Sequence, residues 1–109
     1  MPADQRADAV ETSTDVERRL VSELEAATAQ VRRLEDEYNG LLADPAVIQE
    51  DRDATRILLE RARAAVTAAE RAVERHREGT YGRCSRCGKE IPPERLEAVP
   101  GAHTCVACS

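Results

Sequence analysis

The sequence predicts an all-α protein, an antiparallel coiled-coil helical hairpin followed by a small four-cysteine zinc-finger module. Three observations predict it. Two stretches repeat apolar residues at alternating spacings of four and three, an Asp-Pro pair lies between them, and every cysteine falls in two C-x2-C pairs near the end of the chain. Composition agrees. A chain of 109 residues with no Phe or Trp and only two Tyr cannot fill a large globular core, which favours an elongated helical body.

Residues 1–13 are polar and without periodicity, and read as a disordered tail. Thr14 stands three residues before Glu17, the capping-box arrangement in which each side chain bonds the other's backbone N–H, so the first helix is expected to start there. Its seam is Leu20, Leu24, Ala27, Val31, Leu34, Tyr38 and Leu41. Asn39-Gly40 weakens the helix, and Asp44-Pro45 offers a new start with Asp as cap and Pro in the first turn, where its missing N–H costs nothing. The turn is therefore expected at 40–45, within a hairpin spanning 14–78. The second helix is expected from Pro45 to Glu78, with a seam at Thr55, Leu59, Ala62, Val66, Ala69, Val73 and His76, and Gly79 closes it. Large residues on one seam meet alanines on the other, which suits close packing. Residues 14–39 hold seven acids and four bases, while 56–78 hold six bases and four acids, so the helices attract. Exposed pairs are worth only about 0.2–1 kcal/mol each, so the apolar seam decides the pairing. One long broken helix in an intermolecular coiled coil is the alternative; Asp44-Pro45 favours the hairpin, and a monomer.

Cys84-Ser85-Arg86-Cys87 and Cys105-Val106-Ala107-Cys108 are separated by seventeen residues. Two residues between cysteines let one tight turn aim both thiolates at a tetrahedral metal, and the loop brings in the second pair. Cys84, Cys87, Cys105 and Cys108 are thus the expected ligands of one structural Zn2+ within a module spanning 79–109. Disulfides are the alternative, disfavoured by the strain of bridging a C-x2-C turn and by the absence of any sign of secretion. A redox-active pair lacks the βαβ surroundings it needs. His103 is an alternative ligand should one thiolate not serve. Lys89-Glu90-Ile91 suggests a short strand and Pro92 to Glu97 a helical turn, with Ile91, Leu96 and Val99 as lining.

The net charge of -5 argues against nucleic acid as the main partner, because phosphate binding rests on clustered Lys and Arg. No signal sequence or twenty-residue apolar run is present, so a cytoplasmic protein without membrane partners is expected. No catalytic constellation is found, and a closed four-thiolate site has no open position, so no enzymatic activity is expected. Asp44, Glu50, Asp51, Arg52 and Asp53 crowd the turn. Asp44 is explained by the helix start, and Asp51 and Asp53 read either as solvated face or, with Asp44, as an acidic tip facing a cation or a basic partner surface. His76 occupies a seam position, where a packed histidine is the plain expectation.

The run Gly79-Thr80-Tyr81-Gly82-Arg83-Cys84-Ser85-Arg86-Cys87-Gly88-Lys89-Glu90-Ile91-Pro92, with Arg95-Leu96-Glu97-Ala98-Val99-Pro100 and Cys105-Val106-Ala107-Cys108, resembles the DksA/TraR family of bacterial zinc-finger transcription regulators. The resemblance implies a protein that binds RNA polymerase directly rather than DNA, with its hairpin in the secondary channel and its acidic tip near the catalytic magnesium. It also makes ppGpp a candidate effector, since some members act with it. The family's tip pattern, Asp-x-x-Asp-x-Ala, is not reproduced. Counting from Asp44 gives Val47 and Gln49, while Asp51-Arg52-Asp53-Ala54 has two acids and an alanine at another spacing. His76 stands where an apolar residue is usual. The sequence stops at Ser109, so nothing that relatives do through a C-terminal helix is carried over. A structural adaptor that engages another protein through its coiled coil, with zinc only stabilising its base, is the second reading.

Overall fold

The computed structural model describes residues 12–99 and 101–108. Helix α1 runs Ser13–Ala43, α2 Gln49–Glu78 and the short α3 Pro93–Ala98, and a 3-10 turn closes the described chain at Val106–Cys108. Contacts between α1 and α2 pair opposite ends of the two helices: Glu17 meets His76, Glu35 meets Arg63, and Arg52 reaches Leu41. The hairpin is therefore antiparallel. With helices of 31 and 30 residues at about 1.5 Å per residue, it gives the molecule a long axis of 62 Å. Among the described residues no helix is long and apolar enough to cross a membrane.

Both expected seams lie at the helix interface. Leu20 and Leu34 on α1 are buried, as are Thr55, Leu59, Ala69 and Val73 on α2, and the remaining seam positions are half-buried, His76 included. Packing is tightest at the open end of the hairpin. There Leu20, Ala72 and Val73 form the core cluster, with Val16, Val21, Leu24 and Tyr81 against it. Ala72 is not a seam residue; the chain folding back after α2 covers it, Tyr81 entering the same cluster.

The helix ends differ from the expectation, for reasons visible in their hydrogen bonds. The cap of α1 is Thr12, whose hydroxyl accepts from the Asp15 N–H at 3.1 Å. Thr14 does not cap the helix, because Glu17 is engaged elsewhere: it accepts from Arg77 Nε at 2.8 Å and pairs with His76 Nδ1 at 2.9 Å. Thr12 and Ser13 thus belong to the helix start, and the rest of the expected tail, residues 1–11, lies outside the described residues. Gly40 does not end α1, which continues through it to Ala43. Pro45 does not start α2 either. Asp44 Oδ1 accepts from the Ala46 N–H at 2.9 Å and Asp44 O from the Val47 N–H at 3.2 Å, so Asp44-Pro45 forms a separate turn before α2 begins at Gln49. Gly79 ends α2 as expected, left-handed at φ 81°, its N–H bonded to Arg75 O and His76 O.

Candidate metal centre and hairpin tip

The first cysteine pair sits on a tight turn. Cys84 N–H donates to Lys89 O at 2.8 Å and Gly88 N–H to Cys84 O at 2.9 Å, with Gly88 at φ 76°, a backbone conformation that favours glycine. The expected strand at Lys89–Ile91 is reduced to a single antiparallel bridge between Arg83 and Glu90, extended by Ile91 N–H to Gly82 O. The knuckle is too short to pair further. The second pair lies at the closing 3-10 turn, where Cys108 N–H donates to Cys105 O. Ser85 N–H to His103 O at 2.7 Å joins the two pairs, and Arg95 Nε to Thr104 O ties in α3.

These constraints bring the four sulfurs within 4.8 Å of one another. Tetrahedral zinc with Zn–S bonds of about 2.3 Å needs sulfurs about 3.8 Å apart, and Cys87 Sγ lies 3.7 Å from Cys105 Sγ. All four cysteines are separate thiols, so the disulfide alternative is not realised. The donor set suits one zinc ion, and four ligands leave it no open position. Electrostatics prepare the site. The backbone N–H groups of Cys105 and Cys87 hold Cys84 down to about 5, and a hydrogen bond from Cys108 lowers Cys105. Cys108, which donates first to Cys105 and then to Cys84, is pushed up to about 12. One thiol is thus favoured as thiolate and another as thiol, within one mutually hydrogen-bonded set of sulfurs.

His103 is not among the ligands; its Nδ1 lies 3.4 Å from Ser85 Oγ. Of the expected lining, Ile91 is buried and Leu96 half-buried, but Val99 is exposed. Ala102 takes the inner place instead, beside Gly101, which lies against Ala68 of α2.

The three tip aspartates stand at the far end of the hairpin, about 40 Å from the cysteines at 1.5 Å per helical residue. Asp44 spends a carboxylate oxygen on its own turn, and Asp53 accepts from Gln49 Nε2 at 2.9 Å and faces Arg56. Asp51 is exposed, and its carboxylate has no partner among the described residues. The three do not converge: among the described residues the cysteines are the only group arranged to hold a metal ion. Sequence reasoning misses two features here. Arg52 reads in the sequence only as one charge in a crowd, yet it turns its guanidinium toward the backbone. Leu42 and Ile48 flank the turn and stand more than half exposed, at 52% and 57%. Leu42 falls off the heptad pattern, and Ile48 lies one heptad before Thr55, where periodicity alone would place a buried residue, so spacing does not flag the exposure of either.

Residues 79–108 match the family model of the prokaryotic dksA/traR C4-type zinc finger. General stress protein 16O of Bacillus subtilis (strain 168) is 37% identical over 84 residues, which is 77% of this chain and 52% of that protein. An uncharacterized protein of Aquifex aeolicus (strain VF5) is 50% identical over 38 residues, 35% of this chain and 26% of that one. The chain thus spans about half the length of the first relative and about a quarter of the second. Among solved structures, transcription factor DksA2 from Pseudomonas aeruginosa matches with a TM-score of 0.77 at 24% identity, covering 88% of this chain and 78% of that one. At that identity the likeness concerns the fold.

Proposed function

We propose, for a chain whose residues 79–108 are a C4-type zinc finger of the prokaryotic DksA/TraR family, that it regulates transcription by binding RNA polymerase directly, its hairpin entering the secondary channel. The carrying observation is the combination of that finger with a hairpin whose fold matches transcription factor DksA2. Cys84, Cys87, Cys105 and Cys108 hold zinc, which supplies folding free energy to a module with few apolar residues of its own. Asp44, Asp51 and Asp53 form the working end. An exposed Asp51 in the first turn of α2, beside the hairpin turn, would meet a cation or a basic surface in a partner, and needs no chemistry of its own to do so. ppGpp is a candidate effector of the same complex.

The test is direct. Zinc-loaded protein mixed with its host core polymerase should co-elute and should compete with another secondary-channel factor. Binding to promoter DNA alone, without polymerase, would overturn the reading.

A further inference from the structure

The C-terminal carbonyls of a helix need partners from outside it, and α1 lacks the usual ones. No left-handed glycine follows it, its last turn holds no basic residue, and its cap residue Asp44 is extended at φ -98° and ψ 110°. Gly40 lies inside the helix, in open space and without a positive φ. The partner comes instead from α2. Arg52 Nε donates to Leu41 O at 3.1 Å and its Nη2 to Asp44 O at 2.9 Å. Asp44 O also takes the Val47 N–H, while Asp44 Oδ1 takes the Ala46 N–H. One guanidinium thereby joins the end of α1, the turn and the first residues of α2. Arg52 is flanked in sequence by Asp51 and Asp53 but makes an ion pair with neither. Its charge is directed inward, and the acids remain outward.

We infer that Arg52 is the positioning residue of the tip: its two-pronged hold on Leu41 O and Asp44 O sets where Asp51, Ile48 and Leu42 are presented. The role in regulation rests on the reading above; the hold itself does not. A lysine keeps the charge but is a point donor on a flexible stem, without the planar fork that grips two carbonyls at once. Arg52→Lys is therefore the diagnostic change, with Arg52→Ala beside it.

Both variants are made in the full, zinc-loaded chain and compared with the parent by amide hydrogen exchange, by circular dichroism, and by polymerase co-elution and transcription assays. Exchange at the Val47 and Ala46 amides should rise by about tenfold or more, as expected for losing a charge-assisted hydrogen bond, while helical content is kept. Regulation per bound polymerase should fall in both variants while co-elution persists. Unchanged protection at Val47 in both variants would overturn the hold. A loosened tip with undiminished regulation would overturn the positioning role. A parent protein that never engages polymerase would instead remove the functional reading and the regulatory half of the inference with it, while the exchange data would still decide the hold.

Discussion

The two ends of the hairpin are held by different means. At the base, three sets of interactions overlap: the Leu20–Ala72–Val73 cluster, the Glu17 carboxylate shared between His76 and Arg77, and a metal module folded over both helices. At the tip, seam position Thr55 is buried where an apolar residue would contribute more, and Leu42, Ile48, Ile57 and Leu58 face solvent. The turn depends on a few hydrogen bonds, two of them from Arg52. The core cluster and the match to the family model are thus both found at one end. Among the described residues, four of the six exposed large apolar residues lie toward the other, with the exposed Asp51 near them, while Val99 and Val106 are exposed on the finger.

That contrast can be broken in four ways. The largest effect should follow Cys84→Ser or chelation of zinc. Structural zinc sites of this kind are worth about 10–16 kcal/mol, so residues 79–108 should lose their exchange protection while most helical signal persists. Collapse of the hairpin as well would show that its seam does not stand alone. Next, Leu20→Ala should cost about 2–5 kcal/mol in urea unfolding, whereas Leu42→Ala at the exposed tip should stay within about 0.5 kcal/mol. Equal losses would erase the distinction between the ends. Third, alanine at Asp44, Asp51 and Asp53 together should cost only about 1 kcal/mol, chiefly through the lost Asp44 turn bond; under the proposed function it should also abolish regulation without preventing polymerase binding. The smallest effect concerns Glu17. Arg77 and then His76, hydrogen-bonded to its carboxylate, hold it below its ordinary value of 4.5. Its contribution is therefore present above 4.5 and is lost as pH falls through the lower folded value. Glu17→Gln should flatten the acid limb of a stability profile taken from about pH 6 to about pH 3, and leave the tip untouched.

The parts of the fold that repeat were legible in the sequence. Each of the fourteen seam positions is buried or half-buried, because a heptad spacing dictates one helix face whatever the surroundings. The four cysteines were legible because tetrahedral coordination permits few spacings. Helix ends were not, because several residues compete for each cap and distant partners settle the outcome. Thr14 lost to Thr12 once Glu17 was drawn to Arg77 and His76, about sixty residues away in sequence. Asp44-Pro45 can open a helix or close a turn with equal local merit, and Arg52, reaching back to Asp44 O, favours the turn. Val99 was misplaced for a similar reason: a short apolar list cannot say that Ala102, beside Gly101, takes the inner position.

Gly101 carries a consequence for aim. A methyl group added there would lie 2.6 Å from Ala68 Cβ and 3.1 Å from its Cα, so finger and rod meet with only the Ala68 methyl between them. If the finger is gripped by a partner, each degree of tilt at that contact displaces the tip by about 0.8 Å over a helix of about 45 Å. Alignment of Asp51 with whatever it faces is then governed by the smallest residue in the chain, at the opposite end of the rod.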